Sequence, residues 1–124
     1  MLFIVSSILT KRHLIYKQNM ILKEPRKPNA KGFLVLPLEF KEKGFEFKQV
    51  FRKKDLAIYH RQKPGSKMEY WEAIKVLRHN GYKLGDAVIP PSETYPSSEQ
   101  FGILAYACLS EEAARLRLKD LAKR

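Results

Sequence analysis

The sequence predicts an α+β domain: an antiparallel meander of about four or five strands with a C-terminal helix packed on the sheet. Three observations carry this. Apolar and polar side chains alternate from Phe45 to Phe51, the period of a half-buried strand. Turn signals recur at Lys53-Lys54-Asp55, Lys63-Pro64-Gly65-Ser66 and Asn80-Gly81. Ser110, Glu111 and Glu112 stand before a run that closes on Lys119, Lys123 and Arg124, the charge order of a helix.

Residues 1–32 read as a basic arm, ordered or not, and residues 33–124 as one folded domain. Leu2-Phe3-Ile4-Val5-Ser6-Ser7-Ile8-Leu9 is apolar, but a membrane span needs about 20 such residues. Lys11 and Arg12 follow this stretch, whereas a secretory signal carries its cations in front. Met20 offers a second start, which would make residues 1–19 an artefact of gene calling. Residues 23–32 hold two prolines, a glycine and four cations with no large apolar side chain, the composition of a linker or arm.

Proline at 37 and glycine at 44, with Glu39 early and Lys43 late, predict a turn or two of helix over residues 37–44. A strand then places Phe45, Phe47, Gln49 and Phe51 on one face. Residues 56–61 return, and a turn at residues 63–66 leads to a third strand over residues 68–79. Tyr70, Ile74 and Val76 lie on one of its faces and Trp71, Ala73 and Leu77 on the other, so it is expected to be central. Asn80-Gly81 predicts a two-residue hairpin, with residues 82–89 pairing back. Pro90-Pro91 stops that strand, and residues 92–100 read as a polar loop of the kind that carries recognition. The apolar residues 101–109 are expected as the last strand. In the closing helix, residues 111–123, Ala114, Leu118 and Leu121 form the docking stripe.

No motif of a specific activity is present. Cys108 is the single cysteine, so no internal disulfide or multi-cysteine zinc site forms; its apolar setting reads as core, and a reducing cytoplasm is compatible. His13, His60 and His79 are too far apart for a local metal motif. Gly81, Gly85 and Gly102 lack the strand, loop and helix order of a phosphate loop. No cofactor is expected. Glu72 has two readings: a buried acid that needs a partner, or a strand-face residue paired with a Lys or Arg.

The formal charge is +11, from 24 Lys and Arg against 13 Asp and Glu. Residues 1–32 hold seven cations and one acid, and residues 33–124 hold seventeen and twelve. Such a field favours anionic partners, nucleic acid first among them. Cations interleave with aromatics at Lys48, Arg52, Lys53, Lys54, Tyr59, Arg61, Lys63, Lys67, Trp71, Lys75 and Arg78. A sheet can offer such cations to phosphates, with Tyr59 or Trp71 as stacking surfaces for bases. The competing reading puts the rings in the core and the lysines in solvent. The leading expectation is a non-enzymatic nucleic-acid-binding accessory protein of the cytoplasm; the alternative is a module that inhibits or modulates a host protein.

Two blocks carry a likeness: Leu36-Pro37-Leu38-Glu39-Phe40-Lys41-Glu42-Lys43-Gly44-Phe45-Glu46-Phe47 and Pro91-Ser92-Glu93-Thr94-Tyr95-Pro96-Ser97-Ser98-Glu99-Gln100-Phe101-Gly102. With the closing helix they resemble short proteins of bacteriophages and mobile elements, over about residues 36–122. No assigned activity comes with that likeness. The strand meander before a helix also resembles the layout of the WGR domain, a DNA-binding module. Phe101-Gly102-Ile103 stands where its Trp-Gly-Arg falls, and both the Trp and the Arg are absent.

Overall fold

The computed structural model describes residues 20–124. The apolar stretch at residues 2–9, the cations after it and His13 lie outside the described residues. In chain order the strands are β1 (Ile21–Leu22), β2 (Glu39–Glu42), β3 (Phe45–Lys53), β4 (Leu56–Gln62) and β5 (Glu69–Lys75). Then come β6 (Leu77–His79), β7 (Tyr82–Leu84), β8 (Ala87–Ile89), β9 (Ser92–Thr94), β10 (Ala105–Cys108) and helix α1 (Glu111–Leu121). The main sheet is antiparallel in the order β1-β2-β3-β4-β5-β10, while β6 pairs with β9 and β7 with β8. With α1 docked on the sheet this is the expected α+β meander, and β5 is interior to it.

Residues 37–44, expected as helix, form β2 and a hairpin turn instead. Lys43 (φ 52°) and Gly44 (φ 84°) both take the left-handed conformation that a two-residue turn requires. Phe40 decides between the two folds, because as a strand residue it stacks on Phe47 with ring centroids 4.4 Å apart. Proline and glycine punctuate a hairpin as readily as they punctuate a helix.

A bulge at Val50 changes the reading of β3. Gln49 lies opposite Tyr59 and Phe51 opposite Ile58, neighbours on β4 that face opposite sides. Phe47 therefore packs in the core on one face of the sheet with Phe40, Tyr59, Ile74 and Tyr95, whereas Phe51 turns to the α1 side. The same slip sends Arg52 to the Tyr59 face and Lys53 to the α1 face.

The third strand ends earlier than its composition implies. Val76 donates its N–H to the Asp55 carbonyl at 2.6 Å, and the chain leaves the sheet to pair as β6 with β9. Asn80-Gly81 closes no hairpin; residues 82–89 fold back on themselves as β7 and β8 across Gly85 and Asp86. Gly81 (φ 89°) is instead a point of close approach, since a Cβ there would stand 2.8 Å from the Ile89 carbonyl oxygen and 3.1 Å from the Pro91 nitrogen. Gly81→Ala is expected to cost about 1–3 kcal/mol through backbone strain and the forced shift, read as a lower urea midpoint. Gly85→Ala meets nothing within 4 Å and should cost less.

The largest correction concerns residues 92–100. Residues 92–97 are buried throughout, with Glu93 and Tyr95 only 1% and 0% exposed. They run across the Tyr59 face of the sheet as β9 and its continuation, and they supply the core with Tyr95, which contacts Phe40, Phe47 and Tyr59 edge-on. Of the expected last strand only Ala105–Cys108 is strand; residues 101–104 turn, with the Gly102 N–H on the Ala105 carbonyl.

Helix α1 agrees with expectation. Ser110 Oγ accepts the Ala113 N–H at 3.0 Å, and Ala114, Leu118 and Leu121 are buried against Ile58, Ala73 and Cys108. Cys108 fills core, and burial pushes its thiol above the usual range. Residues 20–32 run along the body: β1 pairs with β2, and the Arg26 guanidinium donates to the carbonyls of Leu34, Val35 and Glu93. Among the described residues no helix is long and apolar enough to cross a membrane.

Candidate nucleic-acid interface

The eleven residues singled out in the sequence are divided by the fold between both faces and both ends of the sheet. Arg52 and Arg78 converge on buried Glu93. Arg52 binds its carboxylate with two bonds of 2.9 and 2.7 Å, and Arg78 reaches it at 3.3 Å while holding Asp55 at 2.7 Å. The Leu36 N–H supplies a fourth contact at 2.9 Å. Burial alone would raise the Glu93 carboxyl; the Arg52 hydrogen bonds, the Leu36 N–H and the two guanidinium charges outweigh it and hold the pKa below its usual value. These arginines are committed to acids and hold β3, β6 and β9 together.

Tyr59 is fully buried, its hydroxyl donating to the Pro37 carbonyl at 2.6 Å and accepting from Gln49 Nε2 at 2.9 Å. No base can stack on it. Arg61 pairs with Glu72 at 2.6 Å, and Tyr95 donates to the other Glu72 oxygen at 2.5 Å. Both readings of Glu72 thus hold at once: it is a buried acid, and its partner is an arginine.

Trp71 lies half-buried beside α1, with its ring 4.9 Å from that of His60. Lys48 is on the same face, where α1 leaves part of the sheet uncovered, in a groove of about 520 Å³ that Lys41, His60 and Gln62 also line. Acids answer most lysines there: Lys23 meets Glu39 at 3.7 Å and Lys41 meets Glu46 at 3.7 Å, while the His60 ring contacts Glu69 at 2.6 Å.

Lys53, Lys54 and Lys75 do come together. Lys53 lies opposite Leu56, and Leu56 opposite Lys75, so one row across three strands places both lysines on the α1 face, about 10 Å apart. Lys75 donates to the Arg124 carbonyl at 3.0 Å, which brings the end of α1, with Lys123 and Arg124, to the same row. None of Lys53, Lys54, Lys75, Lys123 and Arg124 forms an ion pair among the described residues. The nearby acids are engaged elsewhere, Asp55 by Arg78 and Asp120 by Arg117. The sequence marks Lys123 and Arg124 only as helix-end charges; the Lys75 contact that brings them to the row of Lys53 leaves no local signal.

Lys63 and Lys67 sit at the opposite end, in the exposed turn between β4 and β5. Among the described residues no group of three or more His, Cys, Asp and Glu could hold a metal ion. No protein-family model, curated protein or solved structure matches the chain.

Proposed function

We propose that the protein is a small non-enzymatic nucleic-acid-binding accessory protein, and that Lys53, Lys54, Lys75, Lys123 and Arg124 form its phosphate-binding ridge. The observation that carries this reading is the Lys53-Leu56-Lys75 row, which gathers cations from three elements with no aspartate or glutamate paired to them among the described residues. Neutralised phosphates release counterions, so affinity must fall steeply as salt rises. Replacing Lys53, Lys54 and Lys75 together by alanine is expected to reduce the slope of log affinity against log salt by about 2–3. Fluorescence anisotropy with a duplex and a single strand across a salt series measures it. An unchanged slope, or no binding by the unsubstituted protein at low salt, overturns the reading.

The second reading, a modulator of a host protein, takes the segment 90–102 and the basic tail as its contact surfaces, and of that segment residues 92–97 are core. What favours it is the outer edge of β10, which beyond the Phe101 bridge pairs with no strand among the described residues. Exposed Ile103 and Leu109 stand on either side of this edge. A protein retained from nuclease-treated host lysate supports this reading over the first. The likeness to bacteriophage-encoded proteins supports a setting in a host cytoplasm.

A further inference from the structure

We propose that the far end of the sheet is a second, separate site that takes an unstacked base and its flanking phosphates, and so makes the protein prefer single-stranded nucleic acid. The inference rests on the nucleic-acid reading but on none of the ridge residues. The turn between β2 and β3 and the turn between β4 and β5 project side by side there; a Cβ placed on Gly44 would lie 4.0 Å from Lys63 Cε. Lys43, Lys63 and Lys67 are exposed and form no ion pair among the described residues. The acid next to Lys43, Glu42, is buried on this face opposite Phe45, so it does not share the exposed rim with the lysines; Glu69, two residues from Lys67, faces the opposite side of the sheet, where it meets His60.

Beside Lys63, whose ammonium stands 5.9 Å from the Phe45 ring centroid, lies a layered stack. The Arg61 guanidinium sits 4.2 Å from the Phe45 ring centroid and 4.7 Å from that of Tyr70. Its ion pair with buried Glu72 holds it there, and its Nε is buried with no hydrogen-bond partner, so the rings and one carboxylate fix its position. Phe45 and Tyr70 are half-buried and keep open surface. β10 ends at Cys108, opposite Trp71, so no strand flanks Tyr70 on that side among the described residues. A pre-ordered ring with cations on its rim matches what a single strand presents: exposed base faces alternating with phosphates. A duplex keeps its bases stacked and offers only the phosphates.

The charge balance distinguishes this end from the groove beside Lys48, which has room but pairs most of its lysines with glutamates. It also lies on the sheet face opposite the ridge at the Lys53 end, so the two sites can be tested apart.

The test compares a single-stranded oligonucleotide with a duplex of equal length. Tyr70→Ala is expected to lower single-strand affinity about tenfold to a hundredfold and duplex affinity less than about twofold, with Tyr70→Phe close to the unsubstituted protein. Lys63→Ala with Lys67→Ala changes only exposed turn residues and should lower single-strand affinity without touching the fold. Equal losses for single strand and duplex, or no loss in either variant while the unsubstituted protein still binds, overturn the second site and leave the ridge standing. Failure of the unsubstituted protein to bind any strand overturns both, and retention of an acidic protein by this end in place of nucleic acid overturns the choice of ligand.

Discussion

Replacing Glu93 by alanine is expected to remove about 3 kcal/mol of stability, measured by urea unfolding. The carboxylate is 1% exposed and is shared by Arg52, Arg78 and the Leu36 N–H. Without it two guanidinium groups face each other across a desolvated space, and a buried N–H loses its acceptor. Removing one member of a buried pair costs about 3–5 kcal/mol, and the low end applies here because both arginines keep some contact with water. Glu93→Gln keeps the shape and one acceptor, so it should cost less than the alanine.

The same network sets a pH dependence. Glu93 is held below its usual pKa of 4.5 in the folded chain, and Asp55, through its bond to Arg78, is held below its usual 3.8. A carboxyl depressed by folding binds fewer protons in the native state than in the unfolded one. Its contribution is complete above the unfolded value and is lost as the pH falls through the folded one. Stability should therefore decline from about pH 5 downward, and in Glu93→Gln that decline should be shallower.

How much of this was legible in the sequence depends on whether a feature is local. Helix α1 was, because Ser110, the paired glutamates and the Ala114, Leu118 and Leu121 stripe all lie within one short window. The strands from Phe45 to Gln62 were legible through alternation, yet the bulge at Val50 was not. That single inserted residue decides that Arg52 meets Glu93 and Lys53 meets the α1 face. Residues 92–97 misled because Ser, Glu, Thr and Pro suggest a loop, while their burial depends on Arg26, Arg52 and the β6 strand, all distant in sequence. Asn80-Gly81 misled for a related reason: Gly81 serves a close approach to Ile89 and Pro91 rather than a hairpin. The candidate site follows the same rule. Each lysine is visible in the sequence, but which of them lack an acid is a property of register.

Tyr95 tests that segment most severely, because it is both core and polar partner. Tyr95→Ala is expected to cost about 3–5 kcal/mol, the range for emptying a large buried aromatic site. Its ring meets Phe40, Phe47 and Tyr59 at centroid distances of 6.0, 6.2 and 5.3 Å, and its surroundings are interlocked strands that cannot collapse into the gap. Tyr95→Phe separates the two roles. It keeps the ring and removes the donor to Glu72, leaving a buried carboxylate oxygen without that bond, at about 1–3 kcal/mol. Burial and then the Glu72 charge push the Tyr95 phenol far above its usual range, so the hydroxyl stays protonated and donating at any pH the fold tolerates. Chemical denaturation of the two variants gives the partition directly. Equal losses would mean that the hydroxyl carries the position; a Phe variant as stable as the unsubstituted chain would mean that Arg61 alone satisfies Glu72. Because Glu72 also holds Arg61 between Phe45 and Tyr70, a loosened Glu72 in the Phe variant should weaken single-strand binding at the turn end and leave the lysine ridge unaffected.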